Sequence, residues 1–353
     1  YIVYFIFRFT ICLDLFSVRR FLFYYRNTVI HWIFSFNMLV RPDLDKKSFL
    51  LLNIIASSIP VVAFGYFFAK YFNYNSELLL IHEPWIAETN RYIIASALKL
   101  NNANSIGISF NYLDYGRIEV TNEMNQDGTG EFYNPKEYYF GLSYAKKFVN
   151  WFSFGTTIKH ISSQIWHSKA SASAIDLGVF INTPFLSMTG NHRDGLRIGM
   201  SISNYGTKMK YEGIDLINPI DISPEYGNYS NAEGQFKTQG WELPLLFRLG
   251  ISIKPLVTQF FDLALSMDAI HPNNNSEYLN LGSQFSFSPS LRTEFYLRSG
   301  YKGLFMVDGE FGPAFGCGMK YQLNSGQGIK IDYSYKTILS FNNTHNYTLS
   351  LTF

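Results

Sequence analysis

From Tyr66 onward, apolar and polar residues alternate with a period of two rather than 3.6, the pattern of extended strands. In "GLRIGMSISNYG" (195–206), Leu196, Ile198, Met200 and Ile202 fall on one face, and Arg197, Gly199, Ser201 and Ser203 on the other. "FGPAFGCGMKYQL" (311–323) sets Phe311, Phe315, Cys317, Met319, Tyr321 and Leu323 against small or polar partners. In "GIKIDYSYK" (328–336), Ile329, Ile331, Tyr333 and Tyr335 oppose Lys330, Asp332, Ser334 and Lys336. The pattern predicts fourteen strands, near 77–84, 91–100, 105–113, 138–147, 151–163, 171–181, 195–204, 243–254, 260–269, 277–287, 291–300, 311–323, 328–336 and 345–353.

A soluble sandwich also alternates, but its strands are usually about five or six residues long. These are longer, and roughly nine to eleven residues is what a tilted strand needs to cross a bilayer. A closed barrel is the one sheet that crosses without leaving main-chain groups unpaired. The expected fold is therefore all-β: a transmembrane antiparallel barrel of about fourteen strands, polar face inward and apolar face toward lipid. Arg248, Asp262, Asp268, Arg292, Glu294, Arg298 and Lys330 all take the inward parity of their segments.

The links support the same reading. Those at 101–104, 146–150, 254–259, 288–290 and 324–328 are short, whereas 114–137, 205–242 and 301–310 are long and rich in Gly, Asn and Tyr. Short periplasmic turns and long external loops have this asymmetry, although the periplasmic link at 182–194 is longer than the rule prefers. The last strand, "THNYTLSLTF" (344–353), is expected to close the barrel against the first. Its terminal Phe353 resembles the signal that such barrels present to their assembly machinery.

Residues 1–37 are aromatic throughout, interrupted by Arg19 and Arg20, and read as a segment translated from upstream of the protein proper. Residues 38–65 combine Arg41, Lys46 and Lys47 with an apolar run from Phe49 to Val62 and then small residues, the arrangement of a secretory signal peptide. A short membrane anchor is the competing reading. The barrel is assigned to 66–353.

Composition narrows the function. A formal charge of +2 with 16% charged residues argues against nucleic acid as a partner. Phe 33, Tyr 25 and Gly 26 favour strands and turns. Cys12 and Cys317 provide neither a disulfide framework nor a zinc cluster. Seven histidines lack metal-ligand spacing. "EMNQDGTGEFYN" (123–134) resembles a calcium loop, but Asn134 stands where a bidentate Glu is needed, so turn chemistry is the better reading. Asp262 and Asp268 share a strand face about 20 Å apart, too far for paired acid–base work. No catalytic residue, metal or cofactor is expected. The inward charges Arg248, Asp262, Arg292, Glu294 and Arg298 either select a ligand head group or cross-link the lumen. Loop aromatics Tyr205, Tyr211, Tyr226, Tyr229 and Trp241 either dock a protein or form an interfacial belt.

Several phrases, "EYYFGLSYAKKFVNWFSFGTTIKHISSQI" (137–165), "SAIDLGVFI" (173–181), "GLRIGMSISNYGTKMKY" (195–211), "ELPLLFRLGIS" (242–252), "HPNNNSEYLNLGSQF" (271–285) and "LRSGY" (297–301), resemble the PorV/PorQ family of outer-membrane proteins. That family is related to FadL-type transporters and shares their fourteen-stranded barrel. The resemblance covers roughly 77–353. It departs before the first strand, where the family's Gly/Ala-rich stretch and Asn-Pro-Ala plug motif have no counterpart and Gly65 runs almost directly into "YFFAKYFNYNSELLL". It implies a role in type IX secretion, with a translocon and the C-terminal domains of cargo as partners and outer-membrane lipid as surroundings. FadL-like transport of hydrophobic molecules and a purely structural role are the alternatives.

Overall fold

A computed structural model describes residues 76–192, 194–220, 232–307, 309–324, 327–338 and 343–353. The proposed upstream segment and signal peptide lie outside these residues. The described strands are β1 (Ser76–Pro84), β2 (Asn90–Lys99), β3 (Asn104–Asp114), β4 (Ile118–Glu119), β5 (Phe132–Tyr133), β6 (Lys136–Val149), β7 (Phe152–Ile165), β8 (Ser168–Asn182) and β9 (Arg197–Gly206). They continue as β10 (Ile217–Ile220), β11 (Ala232–Gln235), β12 (Leu246–Val257), β13 (Phe261–Pro272), β14 (Tyr278–Ser290), β15 (Thr293–Leu304), β16 (Phe311–Asn324), β17 (Gln327–Ile338) and β18 (Thr344–Thr352).

Fourteen of these form one closed antiparallel barrel in the order β1-β18-β17-β16-β15-β14-β13-β12-β9-β8-β7-β6-β3-β2. β4–β5 and β10–β11 are two-stranded ribbons in the long loops. All fourteen expected segments are barrel strands. Closure runs from Glu77 opposite Thr352 to His82 opposite Tyr347. Ser76 and Phe353 exchange main-chain hydrogen bonds of 2.9 and 3.0 Å at its foot.

The radial distribution of polarity is inverted relative to a soluble domain. Ile94, Ile108, Leu142, Ile158, Leu297, Phe315 and Ile331 are exposed on the outer wall, whereas Glu83, Arg91, Asn111, Lys159, Asp176, Arg298, Asp332 and Asn346 are buried inside. Water outside would make this arrangement unstable, since burying charge costs several kcal/mol and exposing so many large apolar residues gains nothing. Hydrocarbon outside removes the contradiction.

An aromatic band marks one rim of the apolar wall. His82 stacks on Tyr92 at 4.9 Å, Tyr92 on Tyr112 at 6.4 Å, and on the other side Tyr333 meets Tyr347 at 5.5 Å. Rings with a polar edge settle at the membrane–water boundary. The belt is thus built on strands, at the long-loop end.

Above the belt, β6, β7 and β8 overshoot, with 14, 14 and 15 residues. The link between β7 and β8 shrinks to Trp166 and His167, and Trp166 takes the left-handed conformation at φ 48°. Here the polarity reverts to the soluble kind: Ala170, Ala172 and Ala174 face in and are buried, while Lys169, Ser171 and Ser173 face out and are exposed. The switch back to a lipid face comes at Ile175 and Leu177, both exposed.

Ile108, 51% exposed at the middle of β3, separates the two readings of this surface. Ile108→Arg is expected to destabilise the barrel by about 2–4 kcal/mol in lipid. Urea unfolding in liposomes measures it; a water-facing position would tolerate the change within about 0.5 kcal/mol.

Candidate functional site

The inner wall carries its charges as cross-strand groups. Glu83 on β1 stands directly opposite Arg91 on β2 and bonds it through Oε2, while its Oε1 accepts from Lys336 Nζ of β17 at 2.6 Å. Between them, β18 presents only Thr344, Asn346, Thr348, Ser350 and Thr352 inward, side chains short enough for Lys336 to reach across. A second group links Arg298 to Asp332 at 2.6 Å and to Gln284 Oε1 at 2.9 Å, with Lys330 3.2 Å from the same carboxylate. A third joins Lys254 to Asp262 at 2.6 Å.

The fourth group depends on a β-bulge. β9 spends three residues, Ile202 to Tyr205, where β8 spends two, Leu177 to Ile175. Asn204 takes up the extra residue at φ 67°, and Ser203 and Asn204 both turn inward. Asn204 thereby receives Lys159 Nζ on its Oδ1, donates its main-chain N–H to Asp176 at 2.8 Å, and donates Nδ2 to the Pro244 carbonyl at 2.9 Å. Lys159 pairs with Asp176 at 2.8 Å. A bulge re-aims a side chain in this way where regular alternation would point it outward.

At the outer end, the loop after β9 folds back onto the alanine stripe of β8. Met209 bridges Trp241 and Lys169 bridges Glu212 through main-chain bonds, and Met209, Tyr211 and Leu243 pack with Leu113, Tyr139 and Ile161. Tyr211 Oη lies 2.6 Å from Ser163 Oγ, which donates to Glu137 at 3.0 Å. Burial pushes the Tyr211 hydroxyl up to about 12, opposed by the Ser163 bond and aided by the Glu137 carboxylate. Tyr115 is pushed upward by the same burial and by Glu137.

The expected site residues therefore go to several places. Arg248, Asp262 and Arg298 are inward and buried. Arg248 lies in the field of Asp268 and Tyr278, so these three belong to separate groups. Arg292 is a correction: it sits in the turn between β14 and β15, exposed, because the strand ends at Ser290 and parity stops there. Arg292 and Glu294 do share a cavity of about 480 Å³ at the short-turn end, lined also by Lys320 and Gln322. Tyr205 is exposed; Tyr211 is buried and Trp241 packs on it at 5.3 Å, so both lie within the docked loop. Tyr226 and Tyr229 lie outside the described residues.

Glu83, Arg91, Lys159, Asp176, Asn204 and Glu137 were not anticipated, and Lys336 was placed on the polar face of its strand without its partner Glu83. "SKASASAID" carried the available signal, small apolar residues on the inward parity, which leaves room for something to pack there.

Asp215, in a one-turn 3-10 helix, ties the loop to the β7–β8 tip: its carboxylate accepts from the His167 ring at 2.8 Å, the His167 N–H at 3.1 Å and Ser168 Oγ at 3.0 Å. Ser168 thus points at the carboxylate rather than at the imidazole, which is not a nucleophile's geometry. Burial alone would raise the Asp215 carboxyl, but these hydrogen bonds and the His167 charge hold it below its ordinary value. A depressed carboxyl stabilises the docked loop at neutral pH and loses that contribution as pH falls through its folded value, below about 4. Limited proteolysis within 207–243 is expected to be slow at pH 7 and to accelerate under acid, and Asp215→Asn to show the acid behaviour already at pH 7.

Comparison with known proteins places this architecture. The CymD monoaromatic hydrocarbon channel superposes with a TM-score of 0.50 at 11% identity, over 86% of this chain and 96% of that one. The P. putida toluene transporter TodX gives 0.49 at 9% identity, over 86% of this chain and 97% of its own. No curated protein matches the chain. The family model for type IX secretion system protein PorV matches residues 73–226, from the approach to β1 through the docked part of the outer loop. The chain thus forms a closed, lipid-faced barrel of fourteen strands in the bacterial outer membrane, and over residues 73–226 it is similar to the PorV proteins of type IX secretion.

Proposed function

We propose that this barrel acts in type IX secretion, receiving cargo from the translocon and holding its C-terminal domain at the outer surface. The observation that carries this reading is the PorV match over 73–226. It spans the overshooting β6–β8 wall and the loop docked on it, where a protein arriving from outside would land. Ile214, Ile217, Ile220 and Phe236 are exposed around the β10–β11 ribbon and supply apolar contact area, the kind of surface that carries binding energy when covered. Tyr205, at the outer end of β9, is a further exposed aromatic. Assembly into the membrane is assigned to the barrel assembly machinery reading the strand that ends at Phe353. The role is non-catalytic, and the inward charges Arg248, Asp262, Glu294 and Arg298 serve the structure of the lumen, as the Lys254–Asp262 and Arg298–Asp332 pairs illustrate.

Passage of hydrophobic molecules through the lumen is the weaker reading. Buried ion pairs such as Lys159–Asp176 and Arg298–Asp332 line the inner wall, and an apolar solute gains nothing by displacing water from charged groups.

Deleting the gene is expected to strip cargo from the cell surface and culture medium while leaving hydrocarbon uptake normal; intact secretion with lost uptake would overturn the proposal. Complementation with Ile217→Ser/Phe236→Ser is expected to lower surface-held cargo about tenfold, measured by immunoblot, with the barrel still heat-modifiable on gels.

A further inference from the structure

Toward the short-turn end, the outward parity of β6 runs Tyr138, Phe140, Leu142, Tyr144, Lys146 and Phe148. Lys146 is exposed in the last rung shared with β3, opposite Asn104, and stands opposite Phe154 of β7. Among the described barrel strands, the other Asp, Glu, Lys or Arg residues on that parity are Asp114, Lys136 and Lys169, and all three lie at the long-loop end. A lysine on a lipid-facing wall is costly in hydrocarbon and tolerated at the boundary. There its stem lies along the apolar surface and its ammonium reaches the head groups.

The surroundings of Lys146 are aromatic and carry no acid. Its ammonium lies 5.3 Å from the centroid of Phe148, which packs on Phe152 at 6.0 Å, and Phe152 meets Trp151 at 5.8 Å. Phe148 and Trp151 are exposed. Among the described residues, neither the Lys146 ammonium nor the Trp151 indole N–H has an ion-pair or hydrogen-bond partner. The turns at 100–103 and 147–151 contain no Asp or Glu, and Asp194 in the nearby link is buried and bound by Thr189. Lys147 falls on the inward parity and donates to Asn150 Oδ1 at 2.6 Å. The corner is held in place: Tyr144 Oη donates to Asn104 Oδ1 at 2.5 Å, and the Trp151 carbonyl accepts from the Asn182 N–H at 2.8 Å.

We propose that this corner of the outer wall, at the foot of β3, β6 and β7, binds the phosphodiester head group of a glycerophospholipid in the leaflet facing the short turns. Lys146 supplies the charge, and Trp151 Nε1–H donates to a phosphate or ester oxygen. The acyl chains lie on Phe148, Phe152 and Phe154, a surface continuous with the lipid-facing wall. That continuity selects a phospholipid over a free anion, which would meet only the two donors. The inference rests on the membrane setting of the barrel and not on the secretion reading.

The test is native mass spectrometry of the purified full chain in uncharged detergent, titrated with phosphatidylglycerol, phosphatidylethanolamine and diacylglycerol of the same acyl chains. Both phospholipids are expected to be retained about tenfold better than diacylglycerol, which lacks the phosphate. Lys146→Gln should weaken their retention about fivefold, and Trp151→Phe, which keeps a ring and removes the donor, about threefold. Lys169→Gln, at the opposite end of the wall, should leave it unchanged. Heat-modifiable gel migration establishes that each variant is folded. Wild-type retention in folded Lys146→Gln overturns the proposal, as does diacylglycerol retained as well as the phospholipids, or no lipid retained by the parent protein. Equal losses in Lys146→Gln and Lys169→Gln would indicate diffuse attraction to surface charge and overturn it too.

Discussion

Everything in this molecule follows from pairing every main-chain donor and acceptor of fourteen strands without an edge. In hydrocarbon an unpaired N–H or C=O costs several kcal/mol, and water is not there to take its place. The β1–β18 ladder, from Ser76–Phe353 up to His82–Tyr347, meets that demand at the one point where sequence neighbours cannot. Once closure is imposed, alternation does the rest: one side chain in two meets lipid and must be apolar. The other faces its counterparts across the lumen, where charges can be paired.

The inner wall shows how that pairing is achieved. Small residues on β18 allow Lys336 to bond Glu83 past an intervening strand, and the bulge at Asn204 brings an amide to Lys159 and Asp176. These groups are stabilising only as sets. Removing one partner from a buried pair costs about 3–5 kcal/mol, because the survivor keeps its charge and loses its complement. The lumen is therefore better regarded as a lattice of mutual dependencies than as a lining of independent residues.

Much of this was legible in the amino-acid order. Strand number and placement were, because a period of two survives wherever one face meets lipid, as at Ile198, Met200 and Ile202 or Phe315, Cys317 and Met319. The inward setting of Arg248, Asp262 and Arg298 followed from the same parity. What failed has a common cause. Arg292 was counted as inward because alternation was extended one residue past the strand into a turn. Tyr211 and Trp241 were placed at the surface because they lie in a loop, and nothing in a loop's own composition says that it folds back onto Ala170, Ala172 and Ala174. Which charges meet across the barrel depends on register between distant strands, and Asn204 escaped because a bulge breaks the parity on which the inference stood.

That bulge also bears on how such a chain can vary over generations. A strand that alternates between oil and charge behaves like a message read in pairs: losing or gaining one residue exchanges the two readings for everything downstream until the next loop. Asn204 is one such slip that has been tolerated, since it falls where β9 leaves the bilayer and only Tyr205 and Gly206 remain to be re-phased. Length changes in relatives of this barrel should accordingly collect in the loops, or just above the apolar wall, and come in twos wherever they fall between.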